Sequence, residues 1–315
     1  MPGLHKTIWR TGSWALPFHS IDKETDMIHP ISARTSTDAW LQAVNLLATM
    51  QNRCAYNIIL DIEDPIGLPF ADKSIAGVLD RFLVSHDAQP IATVAGTIFP
   101  ASHYRQRGAK GVLEDFPKRV YPKIKKSWGT YAGRMLMRTD RNGQETRPLE
   151  VIIGKLRQQT RPRGAGLRAI YEIGLIDVLA DLPIYDPDLD ARRTLNQPCL
   201  AHLSFKLRED HGLMLTALYR NHYYVERALG NLIGLSQLLF FVAKESGLKP
   251  RGLVCHSTFA RLDFDGGWTV GELKTLIEKC NALADATEEH KTKGIITKTV
   301  SRRGGDDRGP AYRDE

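Results

Sequence analysis

The segment QPCLAHLSFKLREDHGLMLTALYRNHYYVERALGNLIGLSQLLFFVAKESG, residues 197–247, decides how the rest of the chain is read. From its start, Cys199, Ala201, Leu203, Phe205 and Leu207 alternate with Leu200, His202, Ser204 and Lys206. A period of two marks a strand with two unlike faces, because successive side chains of an extended backbone point to opposite sides. The polar run Arg208 to Gly212 reads as a turn, after which Leu213, Leu215, Ala217 and Tyr219 alternate with Met214, Thr216, Leu218 and Arg220. The two strands therefore form a hairpin. With the turn centred near Glu209 and Asp210, Cys199 and Arg220 stand opposite each other, their Cβ atoms roughly 5 Å apart. A permanent guanidinium charge beside a thiol favours the thiolate, which is the nucleophilic form. The run LIGLSQLLFFVAKESGL that follows is apolar almost all round and ends at Gly247, with Pro250 beyond, so it is a buried helix. Asn231 stands at its mouth.

Upstream of this segment, Ser36 and Thr37 precede DAWLQAVNLLATM, where Trp40, Val44 and Leu47 recur at helical spacing, the pattern of a capped amphipathic helix. Arg34-Thr35-Ser36-Thr37 also has the composition of a phosphate-gripping loop, but capping is the commoner use of such residues. Tyr56, Ile58, Leu60 and Ile62 alternate with Asn57, Asp61 and Glu63 and predict a strand that stops at Pro65. Helices are expected over Ala71–Leu83 and Pro148–Leu156. The apolar stretch 91–104 breaks at Pro100, and the basic stretch Arg105 to Lys126, with Pro117 and Pro122, reads as a solvated face with loops. Lys155, Arg157, Arg161, Arg163 and Arg168 form a basic run without an acid, and glycines at 164 and 166 make it a mobile loop, solvated or phosphate-holding. A last strand is expected within Gly252–Asp265. Residues 1–33 show no clear period.

In bulk, 315 residues with 42% hydrophobic and 25% charged side chains have a soluble globular composition. One domain over 1–285, its first 110 residues the least readable, followed by a disordered basic and polar tail over 286–315, accounts for that composition. Cys54, Cys199, Cys255 and Cys280 are too scattered for a disulfide framework and include no CxxC pair, so a reducing cytoplasm is the expected setting. His202 and His222 have no partners at metal-ligand spacing. No apolar run is long enough to span a bilayer, and MPGLHKTIWR lacks the apolar stretch of a signal peptide. The net charge of +7 suits an anionic partner, a nucleotide phosphate or a nucleic acid.

The stretch from Pro198 to Leu262 resembles the core of thymidylate synthases. That family has a Pro-Cys pair opening a strand, an Arg ending its hairpin partner, and an Asn eleven residues further on before a long apolar helix. Here these positions are Pro198-Cys199, Arg220 and Asn231. Thr130-Tyr131-Ala132-Gly133-Arg134 is similar to the Tyr-Gly-x-Arg element of the shorter, archaeal-type branch. Arg168-Ala169 is similar to the end of the family's Arg-Arg phosphate grip, and Tyr185 to Asp190 to its approach to the cysteine. The resemblance implies an α/β (α+β) fold of three layers with a large mixed sheet and a long buried helix, in a homodimer. It implies that Cys199 adds to C6 of a uracil ring in a nucleotide such as dUMP, so that C5 takes a one-carbon unit from 5,10-methylenetetrahydrofolate by methylation or hydroxymethylation. It further implies that Arg220 and, across the dimer, Arg168 hold phosphate, that Asn231 reads O4 and N3–H of the ring, and that Arg134 and His256 belong to the substrate site.

Three family positions differ. Tyr223 stands where the family has the Asp that binds the folate pterin. Arg261-Leu262-Asp263 replaces the His-x-Tyr pair that grips the sugar. No glutamate lies in 91–104, where the proton relay belongs, and Glu114 is the nearest acid on the following segment. Three readings follow: a pyrimidine nucleotide C5-alkylating enzyme with an altered substrate or donor; a nucleotide- or partner-binding protein that has lost turnover; and a nucleic-acid binder using the basic loops.

Overall fold

The computed structural model describes residues 28–67, 70–125, 129–139, 144–162, 164, 166–175, 198–264 and 266–303. Strand β1 (His29–Ala33), helix α1 (Ser36–Thr49) and strand β2 (Cys54–Ile62) come first. β1 falls where the sequence offers no period. It is a five-residue edge strand containing Pro30, too short to show alternation and tolerant of proline because it pairs only with β2. Thr35 caps α1, its Oγ1 accepting from the Asp38 amide at 3.2 Å. Trp40, Val44 and Leu47 are buried as the helical spacing predicts. In β2, Ile58, Leu60 and Ile62 point inward, but Tyr56 is 49% exposed instead of joining them. Asn57 takes a left-handed backbone conformation, φ 54°, which throws the strand out of phase just before Ile58.

Helices α2 (Phe70–Ser85), α3 (Ile91–Ile98) and α4 (Ala101–Lys110), a π-helical segment (Gly111–Val120), and helices α5 (Tyr121–Ile124) and α6 (Tyr131–Leu136) follow. Most of Arg105 to Lys126 is thus helical rather than looped. Val112, Phe116 and Tyr121 all turn inward, at a spacing wider than an α-helix gives, and Pro117 sits among them. Buried Asp115 is paired with Arg107 at 3.1 Å and with Arg119 at 3.8 Å, so part of the basic character serves local pairing. After the short ladder of β3 (Arg138–Thr139) with β4 (Glu145–Thr146), helix α7 (Pro148–Gln159) carries the first part of the Lys155–Arg168 run as its final turn.

Strands β5 (Tyr171–Gly174), β6 (Leu200–Leu207), β7 (Gly212–Tyr219) and β8 (His222–Tyr223) lead to helix α8 (Ala228–Glu245), strand β9 (Lys249–Arg261) and helix α9 (Val270–Arg303). The seven-stranded sheet runs β1-β2-β9-β7-β6-β5, with β8 also pairing β9. It is mixed: β1 lies parallel to β2, and β7 and β8 parallel to β9, while the other neighbours are antiparallel. The last strand in sequence is therefore central in space.

One face of this sheet is dry. Leu203, Phe205, Leu215, Ala217, Leu253 and Leu60 are fully buried on it, with α8 packed on β7 and β9 and α1 on β2, and each buried Leu or Phe contributes about 2 kcal/mol of transfer free energy. α8 is itself covered by α3. A Cβ on Gly230 would lie 2.6 Å from Val94 Cβ, and one on Gly234 2.8 Å from the Ala95 carbonyl, so these two glycines permit the close crossing. The result is the three-layer α/β arrangement that the resemblance implies, with α8 as its buried helix. Along the other face, His202, Ser204, Met214, Thr216, Val254 and His256 are only half-buried. α9 starts with a capping box, Thr269 Oγ1 accepting from Glu272 N at 3.2 Å and Glu272 Oε2 from Thr269 N at 2.8 Å. Anchored by Leu273, Leu276 and Cys280, it continues past residue 286, from which the sequence predicts a disordered tail, to Arg303. Among the described residues no helix is long and apolar enough to cross a membrane.

Candidate active site

The hairpin reaches its expected geometry by an unexpected route. Leu203 pairs with Ala217 and Lys206 with Met214, which centres the turn on Asp210. That register alone would carry Cys199 past Arg220. A bulge at Ala201 absorbs the extra residue, since Leu200 faces Tyr219 while His202 faces Leu218. Cys199 thereby returns to its place across from Arg220, whose amide donates to the Cys199 carbonyl at 3.0 Å.

Around the thiol, charge and burial oppose each other. Burial pushes the Cys199 thiol above its ordinary pKa, and the guanidinium groups of Arg220 and Arg227 offset this only in part. The thiolate expected from the Arg220 charge alone is thus corrected: in the free protein desolvation outweighs that charge. Arg220 Nε donates to the Pro198 carbonyl at 2.9 Å, which ties its head to the backbone just before the cysteine. Tyr131, quoted above only as part of a motif, accepts from the amides of Cys199 at 3.0 Å and Leu200 at 3.2 Å and so fixes the first residues of β6. Burial raises its phenol to about 12.

Asn231 is buried in the first turn of α8, its backbone N–H donating to the Arg227 carbonyl at 2.9 Å. Its side-chain Nδ2 lies 3.1 Å from His222 Nε2. His222 Nδ1 is 2.9 Å from Ser257 Oγ, which is 3.2 Å from the Tyr224 hydroxyl. The imidazole stacks on Tyr219 with centroids 4.1 Å apart and planes at 4°, and burial lowers its pKa to about 3, so it is neutral. Behind it, the Asp263 carboxylate accepts from the amides of Val225 at 2.8 Å and Glu226 at 3.1 Å and pins the entry to α8. Burial lifts that carboxyl to about 6.

The remaining sequence candidates are distributed unevenly. Tyr223 and Arg261, two separate departures in the sequence, are neighbours on β8 and β9, with the guanidinium 4.5 Å from the centroid of the phenol ring. Cys54, opposite Arg261 on β2, lies at the same end of the sheet. Arg134 Nη1 donates to the Leu175 carbonyl at 2.8 Å and ties α6 to the end of β5. His256 points to the half-buried face, where its Nε2 meets Asn57 Oδ1 at 3.0 Å, away from the Asn231 network on the dry face. Arg168 is exposed at the turn end of the hairpin, 2.5 Å from Glu209. A strand's length, about 25 Å, separates it from Cys199 within one chain. Glu114 is exposed on the π-helical segment. Tyr185 to Asp190 lie outside the described residues.

Several members of the site carry no readable signal in sequence. His222 and Tyr224 sit in a short polar run, Ser257 in a later strand, and Asp263 beyond it, and only the pairing of β8 with β9 joins them. Arg227 is the exception, since its place one helical turn before Asn231 is a spacing the sequence shows.

No family model matches the chain. Over 71 residues it is 38% identical to a protein of Methanococcoides burtonii named "Putative thymidylate synthase", a match covering 22% of this chain and 32% of that one. A protein of the same name from Methanosarcina barkeri is 37% identical over 75 residues, 24% of this chain and 34% of the other. The match thus spans about a third of the length of these relatives. The crystal structure of thymidylate synthase from T4 phage aligns with 72% of this chain and 76% of its own, at 12% identity and a TM-score of 0.42. In its matched stretch, the chain is similar to these archaeal proteins named putative thymidylate synthase.

Proposed function

We propose that the chain activates a pyrimidine nucleotide for substitution at C5, with Cys199 as the nucleophile. The observation that carries this reading is the convergence of Cys199, Arg220 and Arg227 at one end of the sheet, with Asn231 one helical turn beyond Arg227. An anionic phosphate held by the two arginines brings the ring to the thiol. The Cys199 proton passes to solvent and the sulfur forms a bond to C6. The electron pair of the C5–C6 double bond shifts to C5 and O4, and an N–H of Asn231 stabilises the charge on O4. C5 then takes a proton or a carbon electrophile, and loss of the C5 proton with expulsion of the thiolate restores the ring.

The resemblance implies 5,10-methylenetetrahydrofolate as the carbon donor, yet the residues present do not fit it. Tyr223, covered by Arg261, offers no carboxylate for a pterin, and the Asp263 carboxylate is taken by two backbone amides. The half-reaction at C5 is therefore assigned, and no donor step. The same observation, together with the raised Cys199 pKa, favours a second reading, a nucleotide-binding protein without turnover. Incubation with 5-tritiated dUMP separates them. The enzyme releases tritium to water and forms a Cys199 adduct by intact mass, and Cys199→Ala does neither. Binding without release or adduct supports the second reading, and no binding rules out both.

A further inference from the structure

We propose that His222 is a positioning residue that fixes which way the Asn231 amide faces and thereby sets the preference for uracil over cytosine. This rests on the reading of Asn231 as the residue that meets the base. A primary amide turned over about its last bond exchanges donor for acceptor with almost no change in shape. Something other than shape must therefore choose the face it shows to a ligand.

The choice is made on the dry side of Asn231. Its Nδ2 faces His222 Nε2 at 3.1 Å, so one amide N–H is given to the ring nitrogen that accepts. The other imidazole nitrogen then carries the proton and donates to Ser257 Oγ at 2.9 Å. The imidazole is held in place opposite the amide: His222 lies flat on Tyr219 and against Tyr224, whose centroid is 5.2 Å away, and it is 1% exposed. The Ser257 hydroxyl is itself held 3.2 Å from the Tyr224 hydroxyl. With its Nδ2 so committed, Asn231 presents Oδ1 and its second N–H to the site. Those match N3–H and O4 of uracil. Cytosine has an unprotonated N3 and an amino group at C4, so the same pair meets it donor to donor and acceptor to acceptor.

The test uses the full chain and two probes, dUMP and dCMP, with dissociation constants from calorimetry. The wild-type protein should bind dUMP at least about tenfold more tightly than dCMP. In His222→Phe, which keeps a flat ring on Tyr219 but removes the acceptor, that ratio should fall by about tenfold. Ser257→Ala, which frees the imidazole tautomer, should lower it in the same direction and serves if the phenylalanine variant does not fold. A purely structural His222 would weaken both nucleotides equally, so an unchanged ratio in folded variants overturns the proposal, as does a wild-type preference for dCMP. If wild type binds neither nucleotide, the base-reading role of Asn231 fails first.

Discussion

Two polar clusters, each built on a histidine and a serine from the sheet, occupy its opposite faces and differ in nearly every physical respect. On the dry face, His222 connects Asn231 with Ser257 and stacks on Tyr219, and every member of the group is buried. On the half-buried face, Glu172 of β5 collects His202 at 2.7 Å, Ser204 at 3.0 Å and Lys206. Burial pulls the Glu172 carboxyl upward, but the hydrogen bonds from Lys206, His202 and Ser204 together hold it below its ordinary value. The lesson is that similar side chains position a neighbour when water is absent and merely neutralise one another when it is present. In the dry cluster a lost partner leaves a polar atom with no substitute, whereas water replaces any lost partner in the other.

That contrast can be broken most directly by truncation. His222→Ala should cost about 3 kcal/mol or more in urea unfolding, because it opens a cavity beside Tyr219 and orphans Asn231 and Ser257. A loss below 1 kcal/mol would mean that the dry network is no stronger than the wet one. Acid provides the second test. Since the folded state holds His222 neutral down to about 3, the unfolded chain takes up a proton below about 6.5 that the folded chain refuses. Stability should therefore fall on acidification by at most about 1.4 kcal/mol per pH unit. His222→Gln should flatten that limb. Asp263 contributes in the opposite sense: its pKa, raised to about 6, lets the folded state bind the extra proton, so its contribution declines as pH rises from about 4 to 6 and offsets the His222 loss in that window, leaving the His222 slope visible below about pH 4.

Smaller effects sharpen the comparison further. The Tyr219 hydroxyl is buried with no hydrogen-bond partner among the described residues, so Tyr219→Phe should stabilise the protein by up to about 1 kcal/mol. Destabilisation on calorimetry would reveal a polar contact at that hydroxyl. Cys199 stands between the two regimes. Arg227→Gln should slow its alkylation by iodoacetamide at pH 8 about threefold, since burial already disfavours the thiolate and one of the two offsetting charges is removed. At the wet end, Glu172→Gln should change stability by less than about 0.5 kcal/mol.

How much was legible in sequence follows from the range of the interactions. The hairpin, the helix α1 and the buried α8 are readable because each is written in residues one to four apart, although the cap is Thr35 and the Ser36-Thr37 pair expected to precede the helix lies inside it. Even there, Tyr56 escaped, because one left-handed residue reversed the face of the strand. An approximate turn centre places Cys199 opposite Arg220, yet in the structure that opposition depends on a bulge at Ala201 that no alternation reveals. The helical path from Arg105 to Ile124 was hidden because its surface lysines and arginines outnumber the few apolar residues that turn inward.

The sequence by itself determined the nucleophile candidate, its arginine neighbour, the asparagine before a buried helix, and the α/β class. The first three follow from local periodicity and from the side-chain chemistry of single residues, and the α/β class from what the family resemblance implies. Only the tertiary structure decided the electrostatic state of Cys199, the stacking of Arg261 on Tyr223, the separation of Arg168 and His256 from the Asn231 network, and the linkage of His222 to Ser257. Those depend on β9 entering the middle of the sheet beside β7, β8 and β2, which brings distant residues into contact and excludes water from one face. Exclusion of water is a property of the packed layers, and no residue carries it alone.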